Sequence, residues 1–277
     1  MNNKFFCFRD GKLPLGKKTY IMGIINVTPD SFSDGGNNLS VTNALATAEM
    51  MERQGADILD IGGQSTRPES TVISPDEEWA RLEKVLPIII SKTKLPVSVD
   101  TFYPEVAKKA LEIGCHIIND VSGVASPKMA EVVKTYNAGW ILMHSGKCKS
   151  EDICAEIKDG LKALLNSALQ LGVEKSHICL DAGIGFGKNH SQNFKIVANT
   201  KSIKIDSNAY LLGASRKRFI GSLLPDNTDV TERDYGTVAV NAVGILGGAD
   251  IIRVHNVKAA YQTIRMADAL RKDFLNE

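Results

Sequence analysis

Eight short apolar segments, spaced along the whole chain, constrain its fold more than any other feature of the sequence. Each segment is apolar at nearly every position, which is typical of parallel strands covered on both faces. Amphipathic segments separate them, including 41–54, 151–170 and the last one, 257–274. Eight strands that each precede a helix predict an α/β fold of the closed (β/α)8 type, the TIM barrel, whose typical length is about 250 residues. The apolar segments are 20–26, 56–63, 96–101, 116–121, 139–144, 177–183, 209–215 and 250–256.

The length of 277 residues suits one such barrel, and no Pro-rich or Ser-rich linker divides the chain. We therefore expect a single domain over residues 1–277. Hydrophobic residues make up 43% and charged residues 23% of the sequence, which is ordinary for a globular protein and argues against disorder. A doubly wound open sheet is the alternative architecture for the same alternation of strands and helices.

Charge and cysteine content limit which partners and which cellular location we expect for the protein. Lys plus Arg number 33 and Asp plus Glu 32, a net charge of +1, so no global field favours nucleic acid or a membrane surface. Residues 1–11 are too poor in apolar residues for a secretory signal, and the apolar run at 85–90 is too short to span a bilayer. The five cysteines are scattered without a Cys-x-x-Cys pair, which favours reduced thiols and a cytoplasmic location.

Polar residues end all eight apolar segments. The carboxyl ends of barrel strands converge on one face, where the chemistry of such barrels is located. Any one of these residues could instead cap the following helix, but eight together predict a functional site. In chain order the polar residues are Asn26, Asp60, Asp100, Asn119 with Asp120, His144, Asp181, Ser215, and Arg253 with His255.

The residue types indicate the ligand. Asp100, Asn119 and Asp181 carry short side chains that accept hydrogen bonds, as the amino and lactam edges of a planar heterocycle require. Lys217 can donate a hydrogen bond to a ring atom. Arg253 and His255 are two residues apart, so they share a face of their strand and, with Arg67, offer positive charge to an anion. Asn26 can ligate a hard cation through its amide oxygen. These residues predict a phosphate-type anion attached to a flat, polar heterocycle.

Two polar segments on the predicted active face have the length of lids that exclude water. They are residues 27–38, rich in Pro, Asp, Ser, Asn and Gly, and residues 64–75. Phe32 lies within the first segment, and an aromatic residue in a polar loop suggests that it covers something. The alternative is that both segments are solvent-exposed connections.

Seven motifs closely resemble those of dihydropteroate synthases, in order and over nearly the whole chain. They are MGIINVTPDSFSDGG (22–36), DILDIGGQSTRP (57–68), SVDT (98–101), IINDVSG (117–123), LDAGIGFGK (180–188), GASRKRFIG (213–221) and IIRVHNV (251–257). The resemblance implies a TIM barrel, usually a homodimer, that uses Mg2+. It also implies a reaction in folate biosynthesis, the condensation of 6-hydroxymethyl-7,8-dihydropterin diphosphate with para-aminobenzoate to give 7,8-dihydropteroate and diphosphate. Sulfonamides compete for the aminobenzoate site of this family.

The resemblance also implies roles for individual residues of this sequence. Asp100, Asn119, Asp181, Lys217 and Arg253 would bind the pterin. Arg253 and His255 would bind the diphosphate, and Asn26 would bind it through Mg2+. Thr66, Arg67 and Pro68 would contact aminobenzoate, with Phe186 and Lys217 as the inner wall of that site. Asp34 and Phe32 would close over the reactants. The candidate catalytic residues are Asp34, Arg67, Lys217, Arg253 and His255.

We expect a dissociative displacement, because an aryl amine is a weak nucleophile. The C–O bond to diphosphate would ionise first and leave a cation delocalised into the pterin ring. Mg2+, Arg253 and His255 would stabilise the departing charge, and Asp100 and Asp181 would support the electron-poor ring. The closed loops would keep water from the cation.

The sequence differs from the family pattern at several positions. Ala182 replaces a common Pro, Gln64 a usual Glu and Arg218 a frequent Ser, while the segment 143–154 is shorter than the Met-rich family loop. Asp60 has two possible roles, bracing the barrel or contacting ligand. Two other functions are open: a methyltransferase that uses methyltetrahydrofolate in the same pterin pocket, and a pterin-binding paralogue without activity. Both would have little need for the Ser-Thr-Arg-Pro segment at 65–68 that this chain contains.

Overall fold

The computed structural model describes residues 4–27, 36–64, 71–206 and 208–275, with the backbone alone at 36–40 and 273–275. Its core is a closed barrel of eight parallel strands, in the order β10-β3-β4-β5-β6-β7-β8-β9. The predicted TIM barrel is confirmed, and every barrel strand lies within one of the eight apolar segments. The strands of the protein are β1 (Phe5–Phe8), β2 (Gly11–Pro14), β3 (Tyr20–Asn26), β4 (Ile58–Gly62), β5 (Val97–Asp100), β6 (Ile117–Asp120), β7 (Gly139–Met143), β8 (Ile178–Asp181), β9 (Ala209–Leu212) and β10 (Ile251–Val254).

Helices cover the outside of the barrel. The three amphipathic segments highlighted in the sequence correspond to α1, α6 and α11. The sequence analysis assigned residues 36–38 to the polar segment 27–38, but helix α1 begins at residue 36, so these three residues belong to the helix. The helices are α1 (Gly36–Arg53), α2 (Pro75–Leu82), α3 (Leu86–Lys92), α4 (Pro104–Glu112), α5 (Pro127–Thr135), α6 (Ile153–Gln170), α7 (His190–Ala198), α8 (Thr200–Ile203), α9 (Arg218–Gly221), α10 (Asp234–Leu246) and α11 (Val257–Leu275).

Side-chain alternation divides each barrel strand between two cores. On β4, Leu59 and Ile61 pack outward under the helices, whereas Ile58 belongs to a separate cluster inside the barrel. Two positions after Ile58, on the same inward face, comes Asp60. The same step from an apolar to a polar inward residue occurs on β6, from Ile117 to Asn119. The barrel interior is therefore apolar at the amino ends of the strands and polar at their carboxyl ends.

A β-hairpin closes the amino-terminal end of the barrel, which the sequence analysis did not predict. Strands β1 and β2 pair antiparallel around a turn in which Asp10 adopts a left-handed φ of 60°. Phe6 is fully buried and Phe8 nearly so, with their rings 6.1 Å apart. We call this end the floor: Phe6 and Phe8 with the inward residues Tyr20, Met22, Ile58, Ile117, Ile141, Cys179, Ala209, Leu211 and Ile251.

The five cysteines are all unpaired, as the sequence analysis expected. Burial raises the pKa of the Cys179 thiol, inside the barrel, well above its ordinary value. Among the described residues, no helix combines the length and the apolar character needed to cross a bilayer.

Candidate active site

A buried ion-paired cluster occupies the carboxyl-terminal end of the barrel. The Arg253 guanidinium donates from Nε to Asp60 Oδ2 at 2.6 Å and from Nη2 to Asp100 Oδ2 at 2.7 Å. Asn119 Nδ2 donates to the same Asp60 oxygen at 3.0 Å. Three strands separated widely in sequence thus meet through one arginine. We call this end the mouth, defined by Asn26, Asp60, Asp100, Asn119, Asp181, Ser215, Lys217, Arg253 and His255.

Arg253 already faces anions, and they belong to the protein. The sequence predicted an anion opposite Arg253 and His255, and the structure places the Asp60 and Asp100 carboxylates against Arg253. Those two bonds use two of the five N–H donors of a guanidinium, so Arg253 retains donors for a ligand. His255 Nδ1 lies 2.9 Å from Ser215 Oγ, on the neighbouring strand end.

Asp60 braces the mouth. Its side chain is fully buried, and it orients both Arg253 and Asn119. With Asn119 Nδ2 turned to Asp60, the carbonyl oxygen of that amide is left to accept a hydrogen bond from elsewhere. Of the two roles considered for Asp60, the contacts favour support for its neighbours.

Two buried carboxylate oxygens at the mouth have no hydrogen-bond partner among the described residues, Asp60 Oδ1 and Asp100 Oδ1. A buried polar atom without a partner costs free energy, so such atoms at a strand end favour a ligand that donates hydrogen bonds. Burial raises the pKa of Asp100, while the Arg253 charge acts in the opposite direction. The contact with Arg253 favours the ionised form of this carboxyl.

Asp181, Lys217 and Phe186 form a second group beside the first. Asp181 Oδ1 accepts a hydrogen bond from the backbone N–H of Gly183 at 2.8 Å, which fixes the carboxylate plane. Lys217 Nζ donates to the Ile184 carbonyl and lies 4.6 Å from the centre of the Phe186 ring. Burial lowers the pKa of Lys217 to about 8, although the charge of Asp181 acts against this shift.

The Gly-rich segment that carries Phe186 is fixed by close packing against the end of β7. Gly183 has a φ of 66°, and a β-carbon there would lie 1.9 Å from the His144 carbonyl oxygen. Lys188 Nζ donates to the carbonyls of His144 and Phe186, at 3.0 Å each. These contacts hold Phe186 as a fixed wall beside Lys217.

Five residues predicted from the sequence lie outside the described residues: Phe32, Asp34, Thr66, Arg67 and Pro68. The carboxyl-terminal end of the second polar segment, 64–75, is held by hydrogen bonds. Ser74 and Glu77 form a reciprocal capping box at the start of α2, and Tyr103 Oη donates to the Ile73 carbonyl at 2.7 Å. The predicted lid segment 64–75 therefore ends where α2 begins.

Asn26 is half-buried at the end of β3, with its amide oxygen facing Gly62 on the neighbouring strand. Within the described ranges, no three His, Cys, Asp or Glu side chains gather as a metal site built from protein alone would require. A single oxygen ligand suits Mg2+, which commonly uses one or two protein ligands together with substrate phosphates. Asn26 fits that mode of binding.

Comparison with known proteins agrees with this geometry. Residues 22–255 match the model of the pterin binding enzyme family. The dihydropteroate synthase of Clostridium beijerinckii is 41% identical over 259 residues, which cover 92% of this chain and 96% of that protein. The chain belongs to the dihydropteroate synthase family. A crystal structure of the Clostridium difficile dihydropteroate synthase in the presence of pteroic acid matches with a TM-score of 0.89 and 41% identity, covering 93% of this chain and 98% of that one. The Xanthomonas albilineans dihydropteroate synthase with 4-aminobenzoic acid matches with a TM-score of 0.89 and 35% identity, covering 95% and 98%.

The differences from the dihydropteroate synthase pattern fall around the mouth. Ala182 is buried behind Asp181, and Gln64 is buried beside Glu78. Arg218 is exposed and begins the short helix α9 directly after Lys217. Ala182 and Arg218 thus directly follow the site residues Asp181 and Lys217 in the chain and leave those residues in place.

Three residues of this dihydropteroate synthase site were not singled out, or were left undecided, by sequence reasoning. Asp60 was undecided, Lys188 lay within a recognised motif without a role, and Asp234 was not considered. Asp234 accepts two hydrogen bonds from Arg216, the residue before Lys217. A lysine at the end of a Gly-rich segment was the signal in the sequence that could have marked Lys188. No local pattern marks Asp234, because its partner is 18 residues away.

Proposed function

We propose that this protein, as a dihydropteroate synthase, joins the methylene carbon of 6-hydroxymethyl-7,8-dihydropterin diphosphate to the amine of para-aminobenzoate. A C–N bond forms, the C–O bond breaks with its electron pair leaving on diphosphate, and the amine loses a proton. The observation that carries the proposal is the cluster of Asp60, Asp100, Asn119 and Arg253 at the carboxyl ends of strands in a chain of this family.

The pterin would bind to the side chains with unused hydrogen-bonding capacity. Asp100 Oδ1, the carbonyl oxygen of Asn119 and the second oxygen of Asp181 can accept from the amino and lactam N–H groups. Lys217 Nζ can donate to a ring acceptor. Because Asp60 and Arg253 hold Asn119 and Asp100, this edge is organised before the ligand arrives, which lowers the cost of binding.

The diphosphate would lie next to Arg253 and His255, where negative charge grows as the C–O bond ionises. Fixed positive charge in a largely buried site stabilises such a leaving group more than it would in water. Asp100 and Asp181 would stabilise the positive charge on the pterin. Release of diphosphate without aminobenzoate, followed by isotope exchange, would support ionisation as the first step. Strict dependence of C–O cleavage on aminobenzoate would contradict it.

Asn26 would hold Mg2+ together with diphosphate oxygens. When bound, the ion would neutralise part of the charge on the leaving group. The support is the position of the half-buried Asn26 amide at the end of β3, at the mouth. We expect Asn26→Ala to raise the Mg2+ concentration needed for half-maximal activity, and calorimetry with Mg2+ and diphosphate would measure the same loss directly. An unchanged Mg2+ requirement would contradict the assignment.

Aminobenzoate would bind between the Phe186 wall, Lys217 and the segment that carries Thr66, Arg67 and Pro68, with Asp34 and Phe32 closing the reactants from water. The support is the position of Phe186 against Lys217.

We further propose a homodimer in the cytoplasm. Exposed apolar side chains on α10 and α11 offer a contact surface for the dimer: Val243, Leu246, Met266 and Leu270. The unpaired cysteines support a reducing compartment.

The test is product formation. Purified protein is incubated with Mg2+, the dihydropterin diphosphate and radiolabelled para-aminobenzoate, and labelled dihydropteroate is separated and counted. We expect product with the unmodified protein and none with Arg253→Ala. Pterin binding without product would overturn the proposal in favour of a silent paralogue, and methyl transfer from methyltetrahydrofolate would favour the methyltransferase.

A further inference from the structure

Asp234, the first residue of α10, lies outside the set of residues assigned to substrates, yet it contacts both strand ends that carry cations of the mouth. Its Oδ1 accepts from Arg216 Nε at 2.7 Å, and its Oδ2 accepts from Arg216 Nη2 at 2.8 Å. The same Oδ2 accepts from Asn256 Nδ2 at 3.0 Å. Arg216 precedes Lys217, and Asn256 follows His255.

The backbone of Arg216 is unusual, and residues near the start of α10 hold it. Its φ is 57°, in the left-handed region that side chains other than glycine rarely occupy. Its N–H donates to Thr237 Oγ1 at 3.0 Å, and its carbonyl accepts from Arg233 Nη1 at 3.1 Å. The conformation therefore depends on surrounding contacts. It determines the direction in which the next residue, Lys217, leaves the chain.

The other strand end joins the same network. His255 Nδ1 is 2.9 Å from Ser215 Oγ, and the His255 N–H donates to that oxygen at 3.2 Å. Asn256 uses its amide oxygen to accept from the Ala259 N–H at 3.1 Å, which caps α11, while its Nδ2 faces Asp234. Residues 215–217 and 255–256 are thus linked side by side through Ser215 and Asp234.

We propose that Asp234 is a positioning residue that fixes the separation between Lys217 and His255, and so between the pterin and diphosphate subsites of one substrate. The inference rests on the proposed roles of Lys217 and His255. It predicts a larger defect toward the dihydropterin diphosphate than toward aminobenzoate, because both cations serve the first substrate, whereas only Lys217 also lines the aminobenzoate site.

The ionised carboxylate is essential to this role, since every neighbour that Asp234 contacts through hydrogen bonds is a donor. Partial burial opposes ionisation, but hydrogen bonds from Arg216 and Asn256 keep the pKa of Asp234 below its ordinary value. An asparagine here has the same shape, yet it would turn an NH2 group toward Arg216 or Asn256. Asp234→Asn is therefore a nearly isosteric change that breaks the network.

The experiment compares Asp234→Asn with Glu232→Gln, an exposed carboxylate two residues earlier, in steady-state kinetics with each substrate varied. We expect Asp234→Asn to lower kcat/KM for the dihydropterin diphosphate by about ten- to a hundredfold, the scale of a small displacement of reacting groups. The KM for aminobenzoate should rise less than the KM for the dihydropterin diphosphate, because His255 serves only the latter. Equal effects on both substrates, or values like those of Glu232→Gln, would overturn the proposal.

Two further measurements separate positioning from general destabilisation. In a double-mutant cycle, Asp234→Asn and Arg216→Ala should be strongly non-additive in kcat/KM, because each removes the same contact. Additive effects would contradict the network.

If Asp234→Asn does not fold, Asn256→Ser replaces it, because serine still caps α11 and loses only the contact with Asp234. Asn256→Ser should then show the same substrate-selective defect in a smaller size, and its absence would overturn the proposal. Failure of the unmodified protein to form product would instead refute the proposed function.

Discussion

The floor and the mouth are built on the same eight strands and have opposite physical properties. At the floor, inward residues are apolar, and Phe6 and Phe8 seal the barrel. At the mouth, two residues further along the strands, the inward positions carry Asp60, Asp100 and Arg253, and carboxylate oxygens lack partners among the described residues. A floor of this kind stabilises the fold, whereas buried charges and unpartnered oxygens cost stability.

The comparison shows that the residues proposed to bind ligand, which also reduce stability, are located at the mouth. A barrel of this size could be filled with apolar side chains along its whole length. The mouth instead retains an arginine shared by two buried carboxylates. Substitutions at the floor should therefore change the free energy of unfolding but not the activity of the folded protein, whereas substitutions at the mouth should change activity whether or not they also change stability. The expected effects follow, from the largest to the smallest.

Arg253→Ala should have the largest effect, because it removes the residue that joins three strand ends. Product formation should fall by at least about a thousandfold, through loss of charge at the leaving group. The free energy of unfolding should also fall, by about 3–5 kcal/mol, because Asp60 and Asp100 lose a buried partner. Radiolabelled product assays and urea unfolding would measure the two effects. Arg265→Ala, at an exposed position on α11, is the matched control and should change neither.

Phe6→Ala should distinguish the role of the floor from that of the mouth most clearly, because it should lower stability and leave activity unchanged. Truncating a fully buried ring leaves a cavity under the barrel, and we expect a loss of about 3–5 kcal/mol in the free energy of unfolding. Activity per folded molecule should stay within about twofold, because the mouth is untouched. Phe5→Ala, a partly exposed neighbour on β1, should cost far less. A large loss of kcat in folded Phe6→Ala would show that the floor shapes the mouth.

Glu78→Gln should show a smaller, pH-dependent gain of stability. Burial raises the pKa of Glu78 to about 7, although the hydrogen bond from Thr101 opposes the shift. Between about pH 4.3, where an unfolded Glu titrates, and pH 7, the folded state holds more protons, so the free energy of unfolding declines as pH rises. Glu78→Gln should remove this decline and exceed the parent by on the order of 2–3 kcal/mol at pH 8.

Unfolding curves at pH 5, 6, 7 and 8 would test this prediction. Asp76→Asn, an exposed carboxylate on the same helix, is the control and should follow the parent at each pH. A parallel shift of Glu78→Gln at all pH values would show that Glu78 does not titrate in this range.

Sequence reasoning could predict the barrel because each strand carries its own evidence, an apolar segment that ends in a polar residue. It missed the hairpin because the segment 5–14 is short and does not show a clear alternation of apolar and polar residues. A local signal was present in Asp10, because aspartate tolerates the left-handed φ that the turn requires at that position.

Contacts across the barrel could not be predicted from local patterns. Arg253 and Asp60 are 193 residues apart, and their pairing depends on the register of three strands, β10, β3 and β4. The sequence therefore identified Arg253 as a cation facing an anion, but it could not indicate that Asp60 and Asp100 are the carboxylates beside it. Asp234 could not be identified for the same reason, because its proposed role depends on its contacts with Arg216 and Asn256, which are distant in the sequence.

The most direct test of the division between floor and mouth uses two inward residues of one strand, Ile117 and Asn119 on β6. Both the free energy of unfolding and the rate of dihydropteroate formation would be measured for Ile117→Ala and for Asn119→Leu, which has nearly the shape of the original side chain. The account predicts that Ile117→Ala loses more than about 2 kcal/mol yet stays active when folded. Asn119→Leu should cost less stability than Ile117→Ala, because Asp60 keeps its hydrogen bond from Arg253, and it should lose activity. An active Asn119→Leu, or a folded but inactive Ile117→Ala, would contradict it.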